Sequence, residues 1–441
     1  MIGRPHSRNA DVSTLALRTA LVALGLFAPL ASAETYYVAA SGDDGNPGTL
    51  SEPWRTLQHA ADTIGPGDTV EVRGGNYAGM YLDTSGTAAQ PIVFEAYQNE
   101  TPSIVADNAI TPDGINLEGA SWVTVQGFTV NGRSRAGIRA VTCEHVTIRG
   151  NVMDRNDVWG VLTGFCDDLL IENNIASRSG EQHGIYVSNS GDRPVIRGNL
   201  IWGNRANGIH MNGDVSQGGD GIISGAIVEA NVIYGNGAGG GSGINCDGVQ
   251  DSLIRNNLIY DQHASGISLY QIDGGGPSSG NRVLNNTVLI ASNGRWALNI
   301  QDGAVNTTAR NNILLNAHPF RGSIDISFDS LPGFTDDHNA VMDRFTSDGG
   351  DSILTLVEWQ QETGLDAHSF VATQAALFVD AGSDDFHLSP TSPALDAGET
   401  RADVPTDIAG VARPQGAGFD IGAYERPVAL GDEIFADGFD A

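Results

Sequence analysis

The stretch HGIYVSNSGDRPVIRGNLIWGNRANGIHMN, residues 183–212, contains one repeat unit and the beginning of the next. In both units a glycine is followed by an aliphatic residue, a polar residue and a second apolar residue, and the two glycines lie 24 residues apart. The pattern recurs along the chain at spacings of 23, 23, 24, 24, 35, 23 and 31 residues, and IDI after Ser323 extends it. The copies begin at Gly114, Gly137, Gly160, Gly184, Gly208, Gly243, Gly266 and Ala297. A near-constant period of this length indicates a solenoid, in which each unit buries its apolar face against its neighbours.

A second feature occurs at matching offsets in these units. Segments such as IRGN and IENN end in an asparagine, and these residues are Asn151, Asn174, Asn199, Asn231, Asn257 and Asn312. Asparagine tolerates the left-handed turn conformation, and stacked amides can bond to one another along a solenoid axis. The short strands alternate aliphatic with small polar residues, and no helical period separates them. The sequence therefore predicts an all-β fold, a right-handed parallel β-helix.

The strands and turns from about residue 105 to residue 330 resemble those of exported bacterial β-helix repeat proteins of the pectin-lyase-like fold. The resemblance implies a polysaccharide-lyase-like protein, although this fold also hosts hydrolases, epimerases and inert adhesins. The amphipathic segment PWRTLQHAADTI, residues 53–64, is similar to the N-terminal helical cap of such proteins, including pectate lyases. In those lyases the base is a lysine beside calcium. This chain contains no lysine, so that mechanism does not carry over unchanged.

The N-terminus predicts export. Arg4, Arg8 and Arg18 precede the apolar run ALVALGLFAPL and the small-residue exit ASA, so we expect a signal peptide cleaved after Ala33. No other segment is long and apolar enough to span a bilayer. The protein is therefore expected to be secreted to the extracellular space, the periplasm or the cell surface. The predicted organisation is a signal peptide (1–33), an N-terminal cap with the first rungs (34–104), β-helix repeats (105–330), a C-terminal capping module (331–428) and an acidic tail (429–441).

The charge of the chain excludes two classes of partner. All 23 basic residues are arginine, and the formal net charge is −30; without residues 1–33, which hold three arginines and one aspartate, it is −32. Such a surface repels nucleic acid and anionic lipid. A polyanionic sugar would need arginines or a bound cation at its site. We expect a monomer whose partner is a polysaccharide.

Two of the three cysteines occupy equivalent positions in neighbouring units. Cys143 and Cys166 lie 23 residues apart at the same offset. Stacked neighbours have Cα atoms ~4.8 Å apart, which a disulfide accepts, and export favours oxidation. We predict a disulfide between them, with a stacked pair of free thiols as the alternative. Cys246 falls at an inward position and is expected to be an unpaired core residue.

Alternation along each strand points every second residue outward, and stacking of the rungs aligns these residues in two columns. The first column reads Asn116, Arg139, Leu162, Tyr186, His210, Asn245, Ser268 and Asn299. The second reads Glu118, Val141, Gly164, Ser188, Asn212, Asp247, Tyr270 and Gln301. Insertions around DVSQGGDG, GNGAGGGS and QIDGGGPSSG bracket the rung of Asn245 and Asp247, which predicts a walled groove there.

The residues of this groove suit β-elimination on a uronic-acid polysaccharide. We expect His210 as the base and Tyr270 or Tyr186 as the acid. Arg205 or Arg139 could face the substrate carboxylate. A cation held by Asp214, Asp247 or Asp273 could do so instead, and calcium is the metal considered. The side chains suited to sugar binding are Arg139, Ser188, Asn212, Asn245, Asn299 and Gln301.

Three other functions stay open at this point. A C5-epimerase would use the same groups and return the proton to the other face of C5. A glycoside hydrolase needs two carboxylates at a defined gap. INCDGV (244–249) and QHGIYVSNS (182–190) faintly resemble motifs of polygalacturonase-like hydrolases, but their order along the chain is reversed. A non-catalytic, adhesin-like surface protein could also bind glycans in the groove.

Overall fold

The computed structural model describes residues 33–427 of the 441-residue chain. These residues coil into a β-solenoid with three long sheets, two of twelve strands and one of eleven. The strands are numbered β1–β39 in chain order. Each full turn adds one strand to each sheet, and the pairing within the three sheets is parallel throughout. The all-β solenoid predicted from the repeat is confirmed.

The first two sheets lie side by side along the solenoid axis. Sheet 1 consists of β1 (Thr35–Val38), β2 (Thr69–Val72), β5 (Ile92–Ala96), β8 (Val123–Gln126), β11 (Thr147–Arg149), β14 (Leu170–Glu172), β17 (Val195–Arg197), β21 (Ile227–Glu229), β25 (Leu253–Arg255), β28 (Arg282–Leu284), β31 (Thr308–Arg310) and β34 (Thr335–Asp337). Sheet 2 consists of β3 (Gly75–Ala78), β6 (Pro102–Ala106), β9 (Thr129–Asn131), β12 (Val152–Asp154), β15 (Ile175–Ser177), β18 (Leu200–Trp202), β22 (Val232–Tyr234), β26 (Leu258–Gln262), β29 (Thr287–Ile290), β32 (Ile313–Asn316), β35 (Ala340–Val341) and β37 (Phe370–Val371).

The third sheet carries the GI-x-aliphatic segments of the repeat. Sheet 3 consists of β4 (Met80–Leu82), β7 (Ile115–Glu118), β10 (Ala136–Glu144), β13 (Trp159–Asp167), β16 (Ile185–Ser188), β19 (Ile209–Asn212), β23 (Ser242–Asp247), β27 (Ser265–Tyr270), β30 (Leu298–Ile300), β33 (Ile324–Ile326) and β36 (Phe345–Thr346). Two small sheets pair β20 (Ile223–Ser224) with β24 (Val249–Gln250), and β38 (Phe378–Asp380) with β39 (Asp385–Leu388). The α-helices are α1 (Leu57–Thr63), α2 (Leu356–Thr363) and α3 (Gln374–Leu377), and the 3-10 helices are Val215–Gln217, Phe328–Ser330 and Ala381–Ser383.

The core follows from the alternation within each strand. Ile185, Ile209, Ile244 and Ile267 are aligned across adjacent strands of sheet 3, and each is fully buried. The residue after each isoleucine points outward, so the register reproduces both predicted columns as far as the strands extend. This alignment is what places polar side chains from distant parts of the chain on one outer face.

The predicted asparagine ladder is present and buried between sheets 1 and 2. Each side-chain Oδ1 accepts from the backbone N–H and the Nδ2 of the asparagine in the preceding rung. Asn286 and Asn339, which the sequence reading did not include, continue the series. The ladder therefore satisfies backbone groups at the turn in every one of these rungs, where water cannot reach them.

Removing one amide from the middle of the ladder is expected to destabilise the fold. Asn231 donates to the Ile196 carbonyl at 2.9 Å and to Asn257 Oδ1 at 3.0 Å, and it accepts from the Asn199 backbone at 3.0 Å. Asn231→Ala leaves these buried groups unpaired, so we expect the free energy of unfolding to fall by about 1–3 kcal/mol. Urea denaturation measures the change. The exposed Asn76 in β3 is the matched control, and equal stability of both alanine variants would contradict a stabilising ladder.

The structure contains a disulfide between Cys143 and Cys166, whose Cα atoms are 4.5 Å apart on the paired strands β10 and β13. Cys246 is a buried free cysteine, as its inward position predicts. Burial raises the pKa of the Cys246 thiol above its ordinary value, so the group is protonated and unreactive at neutral pH.

The helix predicted near the N-terminus is α1, and Trp54, Leu57 and Ala61 are buried as the amphipathic pattern requires. That α1 closes the end of the solenoid stays a prediction. In the C-terminal part of the chain, Trp359 of α2 stacks on Phe345 of β36 with ring centroids 5.3 Å apart.

The strands of the solenoid extend beyond residue 330, where the sequence reading ended the repeats, because β34 to β37 continue all three sheets. The segment after α3 then packs against the outside of sheets 1 and 2. There Val404 and Phe419 contact Leu253 and Leu284, and a second group joins Phe386, Leu388 and Ile421 to Leu258, Leu289, Ile313 and Leu315. This part of the predicted C-terminal module therefore covers the side of the solenoid.

Two predicted segments, the body of the signal peptide (1–33) and the acidic tail (429–441), lie outside the described residues 33–427 apart from Ala33. Within the described residues, the helices are too short or too polar to cross a membrane.

Candidate functional site

The outer face of sheet 3 carries the predicted site residues. Tyr186, His210, Asn245, Ser268 and Asn299 are aligned in consecutive strands. Asp325 of β33 pairs with Asn299 and adds a rung to the first column. A groove of about 630 Å³ lies over the rungs from β23 to β33, so it begins at the rung around which the sequence predicts it and extends from there toward the C-terminus.

At the N-terminal end of the columns the predicted substrate-binding residues have internal partners. The Arg139 guanidinium pairs with Glu118 and donates to Asn116 Oδ1 at 2.8 Å. Ser188 is buried, and its hydroxyl donates to the Thr163 carbonyl at 2.7 Å. Neither residue lines the groove. Arg139 lies four strands away from Asn245, roughly 19 Å at the spacing of parallel strands.

His210 belongs to a cluster of aromatic rings beside the groove, in which His183 is buried and Tyr186 and His210 are half-buried. Its ring stacks on Tyr186 with centroids 5.0 Å apart and contacts His183 edge-on at 4.7 Å. The Asn207 backbone N–H donates to His183 Nδ1 at 3.2 Å, so that atom carries no proton. His183 Nε2–H then donates to His210 Nδ1 at 3.1 Å, which places the His210 proton on Nε2.

This arrangement does not suit the role of base predicted for His210. Burial lowers the pKa of His210 to about 3, and burial followed by the charge of His210 lowers the pKa of His183. Both imidazoles are therefore neutral at pH 7. His210 Nε2, which holds the proton, is out of contact with solvent and has no hydrogen-bond partner in the described residues. The ring also does not line the groove.

Tyr186 and Asn212 share this cluster, because Asn212 Nδ2 donates to the Tyr186 hydroxyl at 3.2 Å. Burial raises the pKa of Tyr186 above its usual value, so the phenol is protonated. Neither side chain lines the groove, and Arg205 is exposed at the loop that leads into β19. The structure thus places Tyr186, His210, Asn212 and Arg205 next to the groove and outside it.

The three aspartates considered as cation ligands do not converge. Asp247 is buried and accepts the backbone N–H groups of Ile272, Asp273 and Gly274 at 2.8–3.0 Å. Asp214 accepts from Ser216 in its own turn, while Asp273 is exposed. Asp247 therefore fixes the loop after β27. This loop meets the 3-10 turn Val215–Gln217, because Val215 N–H donates to the Asp273 carbonyl at 2.9 Å.

The groove has a polar floor and two different walls. The floor consists of Ser242, Asn245, Ser265, Ser268, Tyr270, Asn299, Gln301 and Asp325. The first wall comes from loops that lead into the sheet 3 strands and consists of Gly241, Arg295, Trp296, His318, Phe320 and Arg321. The second wall comes from segments that follow those strands and consists of Ile272, Asp302, Gly349 and Gly350. Phe320 is 52% exposed and Ile272 75% exposed, so both present apolar surface to a bound molecule.

Hydrogen bonds orient the floor around Tyr270. Asn245 Nδ2 donates to the Tyr270 hydroxyl at 2.7 Å, and Asn245 Oδ1 accepts from Ser242 at 3.1 Å. The Tyr270 oxygen is thus an acceptor for Asn245, and its own proton has no acceptor in the described residues. Burial, followed by the charge of Asp247, raises the pKa of Tyr270 above its usual value. The phenol is therefore a hydrogen-bond donor toward the groove at neutral pH.

Asp325 is the buried carboxyl group of the floor. It is 7% exposed, and its Oδ1 has no hydrogen-bond partner among the residues described. Burial raises the pKa of Asp325 above its ordinary value; hydrogen bonding from Gln301 opposes the rise, Asp348 adds to it, and Arg321 opposes it. Gln301 and Asn299 stand beside it, with Gln301 Nε2 donating to Asn299 Oδ1 at 3.2 Å. An ionised Asp325 would be more basic than an exposed carboxylate, and the residue lines the groove.

The arginines of the first wall differ from most others in the chain. In residues 33–427, five arginines lack a carboxylate oxygen within 4.0 Å, and these are Arg205, Arg295, Arg321, Arg344 and Arg426. The first four lie in loops that lead into sheet 3. Arg295 and Arg321 line the groove itself. In a chain of net charge −30, two positive charges without a carboxylate partner at one groove are available to an anionic ligand.

His318 is neutral beside these arginines. Its Nδ1 accepts the backbone N–H groups of Phe320 and Arg321 at 3.1 and 3.0 Å, so the ring proton is on Nε2. Burial, Arg321 and Arg344 lower the pKa of His318 below its usual value. The imidazole is therefore a further neutral donor at the wall.

The sequence reading placed Asn245, Tyr270, Asn299 and Gln301 correctly in register, and these four line the groove. It missed Asp325, although IDI after Ser323 is a further copy of the repeat whose central residue falls in the first column. It also missed Arg295 and Arg321. A signal for these two residues was present in the sequence: each arginine lies in the loop just before a strand of sheet 3, β30 or β33.

The comparison with known families agrees with this architecture. The family described as Pel9A-like, right handed beta helix region, matches residues 36–267, more than half of the chain. This chain belongs to the Pel9A-like right-handed β-helix family. Its solenoid is thereby right-handed, and the predicted resemblance is confirmed.

Individual relatives are more distant. The uncharacterized protein YwoF of Bacillus subtilis (strain 168) is 25% identical over 435 residues, covering 82% of this chain and 92% of that protein. Pectate lyase PEL9 of Emericella nidulans is 24% identical over 209 residues, covering 42% of this chain and 50% of that enzyme. The crystal structure of pectate lyase Pel9A superposes with a TM-score of 0.63 at 17% identity, covering 89% of this chain and 96% of that one. The last comparison concerns the fold alone.

Proposed function

We propose that this protein is an exported polysaccharide lyase, or a C5-epimerase-like enzyme, that acts on a uronic-acid-containing polysaccharide in the groove on sheet 3. The observation that carries the proposal is the pair Arg295 and Arg321, which line the groove without a carboxylate partner. A uronate carboxylate is a planar acceptor that an arginine fork binds in bidentate fashion. One of the relatives is a pectate lyase, which supports a carbohydrate substrate of this class.

The groove supplies the groups that β-elimination needs. Arg295 and Arg321 would bind the carboxylate at C5, which stabilises the negative charge that develops when the C5 proton leaves. Asp325 would take that proton, since it lines the groove and burial raises its pKa. The electron pair of the C5–H bond becomes the C4–C5 double bond, and the C4–O bond breaks with its pair on the departing oxygen. Water in the open groove would protonate that oxygen.

Tyr270 would donate a hydrogen bond to a neighbouring sugar of the bound polysaccharide. It lies two rungs from Asp325, roughly 10 Å at the spacing of parallel strands, and its hydroxyl leans toward Asn245, away from Asp325. The predicted role of acid for the same bond therefore does not fit. A hydroxyl donor at that distance instead matches a sugar about two units along the chain. Asn245, Asn299 and Gln301 can bind hydroxyl groups between these points.

The experiment that tests the proposal is a polysaccharide panel. The protein is incubated with polygalacturonate, alginate, rhamnogalacturonan and a neutral xylan, each with calcium and with a chelator. We expect ultraviolet absorbance from unsaturated ends with at least one polyuronate, and none with xylan. Release of reducing ends without that absorbance would indicate a hydrolase, for which Asp302 is the second carboxylate lining the groove. Binding without any product, including epimerised sugar, would indicate a glycan-binding protein.

Removing one positive charge from the groove is expected to weaken substrate use. Arg321→Gln keeps a polar side chain but loses the charge and the fork, so we expect kcat/KM for the polyuronate to fall by roughly 10- to 100-fold. Initial rates from unsaturated product measure the effect. Arg149→Gln on sheet 1, which makes the same charge change away from the groove, is the control. Equal losses in the two variants would argue against a specific role for Arg321.

A further inference from the structure

A cluster of metal-binding side chains lies away from the groove, at the turn between sheets 1 and 2 near the end of the solenoid. Asp337 ends β34, His338 follows it in the turn, and His368 occupies the matching position before β37. One ligand atom from each lies within 4.8 Å of the other two. It is the single group of three such side chains within residues 33–427.

The geometry places both imidazoles on one carboxylate oxygen. Asp337 Oδ2 is 2.9 Å from His368 Nδ1 and 3.5 Å from His338 Nδ1. Ligand atoms about 2.1 Å from a tetrahedral ion stand roughly 3.4 Å apart, so the His338 contact already has this spacing and the His368 contact would have to open slightly. The rings stack with centroids 4.6 Å apart, which aligns their Nδ1 edges along one side. The three atoms are therefore nearly arranged as ligands already.

One further observation points to a missing partner at His338. Its Nδ1 is buried and has no hydrogen-bond partner in the part of the chain that the structure describes. Its backbone is left-handed with a φ of 55°, at the turn position that asparagine occupies in the three preceding rungs, at Asn256, Asn285 and Asn311. Histidine is among the residues that adopt this conformation readily, so the turn accepts His338 and the unpartnered Nδ1 is what points to a ligand.

The surrounding charge permits a cation. Arg310 Nη1 lies 3.9 Å from Asp337 Oδ2 but 3.0 Å from Glu399, which takes up most of its charge. The carboxylates of Asp337 and Glu399 therefore share the single guanidinium of Arg310. The other nearby arginine, Arg401, pairs mainly with Asp403. The side chain of His368 is 66% exposed, so an ion can enter and water can complete its coordination.

We propose that Asp337, His338 and His368 bind a divalent transition-metal ion, of which Zn²⁺ is the representative, and that the ion joins the last rungs of the solenoid. Two imidazoles and one carboxylate suit Zn²⁺ and related ions. Calcium instead takes six to eight oxygen ligands. The site is separate from the groove, so it contributes to the stability of the C-terminal rungs and not to the reaction.

The test is a Zn²⁺ titration of the full chain, purified without a histidine tag and stripped with a chelator. We expect one Zn²⁺ per chain by calorimetry and a rise in Tm, with no such effect from Ca²⁺. His368→Ala, at an exposed side chain, should weaken Zn²⁺ binding by at least about tenfold. His387→Ala is the matched control, because His387 is an exposed histidine whose Nδ1 lies 2.7 Å from a single aspartate, Asp385.

Two results would overturn the proposal. Either saturable Zn²⁺ binding is absent, or His368→Ala binds Zn²⁺ as tightly as the unchanged chain does. A second readout is Co²⁺ absorption, since Co²⁺ in a low-coordinate nitrogen and oxygen site has intense visible bands. Those bands should appear in the unchanged chain and in His387→Ala, and they should be lost in His368→Ala.

Discussion

Asp325→Asn is expected to lower kcat on the polyuronate substrate by roughly 10²- to 10⁴-fold, which is the usual contribution of a positioned general base. The amide keeps the shape of the carboxyl group but cannot take the C5 proton. Substrate binding should change little, because Arg295 and Arg321 are untouched. Single-turnover measurement of unsaturated product separates the chemical step from binding. The exposed Asp351 provides a control for the same substitution near the groove.

The pH profile gives an independent check on Asp325. Burial raises the pKa of this carboxyl group, so the ionised base is lost at a higher pH than an exposed aspartate would be. Activity should therefore rise with pH through this raised pKa, and the remaining activity of Asp325→Asn should lack that limb. Since the folded state favours the neutral acid, the asparagine variant should be at least as stable as the unchanged chain at pH 7. Full activity with an unchanged profile would exclude Asp325 as the base.

Arg413→Met is expected to detach the C-terminal segment from the solenoid. The side chains of Arg413 and Glu425 are fully buried and 2.8 Å apart, and Arg413 also donates to Asn256 Oδ1 at 3.3 Å and to the Gly422 carbonyl at 2.8 Å. Removing one partner of a buried ion pair costs about 3–5 kcal/mol, because the other charge is left uncompensated. Loss of hydrogen-exchange protection in residues 394–425 measures the effect.

Two comparisons decide how the Arg413 result is understood. Arg401→Met removes a more exposed arginine of the same segment, whose partner is Asp403 at 3.2 Å, and should cost less than about 1 kcal/mol. The double change Arg413→Met with Glu425→Gln should recover much of the lost protection, since no unpaired charge remains and the amide oxygen can still accept from the Gln415 or Asp420 backbone. If Arg413→Met costs no more than Arg401→Met, the buried pair does not hold the segment in place.

The fold could be predicted because every turn of a solenoid repeats the same strand and turn pattern. The GI-x-aliphatic strands set which side chain is buried, and the period aligns Ile185 with Ile209 and Ile244 without knowledge of the loops. The same register predicts the asparagine ladder and places Cys143 beside Cys166. The period of the sequence thus predicts every feature that depends only on the position of a residue within its rung.

The site could be predicted in part only, because its walls lie outside the repeat. Arg295 and Arg321 stand in loops of unequal length, and the position of such loops depends on tertiary contacts that no period encodes. The sequence also does not show which residues of the two outward-facing columns are chemically available. His210 is neutral because burial lowers its pKa, and a hydrogen-bond chain from Asn207 through His183 fixes its proton on Nε2. Asp247 is occupied by three backbone amides. Burial and partners, which set these properties, become visible only in three dimensions.

The sequence alone also could not decide whether a bound cation or an arginine faces the substrate carboxylate. The sequence offers many acidic residues near the groove loops, so a calcium ion was a reasonable hypothesis for neutralising a substrate carboxylate. Asp214, Asp247 and Asp273 do not converge, whereas Arg295 and Arg321 lie at the groove itself. We therefore expect substrate binding in the presence of a chelator, and the polysaccharide panel contains that comparison.

The central claim is that arginines free of carboxylate partners select a uronate in the groove, and calorimetric titration tests it most directly. Short oligosaccharides of galacturonate, mannuronate and guluronate would be titrated beside their methyl esters, which keep the sugar but lose the charge. We predict that at least one free acid binds at least about tenfold more tightly than its ester, and that Arg321→Gln removes most of this difference. Equal binding of acid and ester, or no binding of any free acid, would contradict the account.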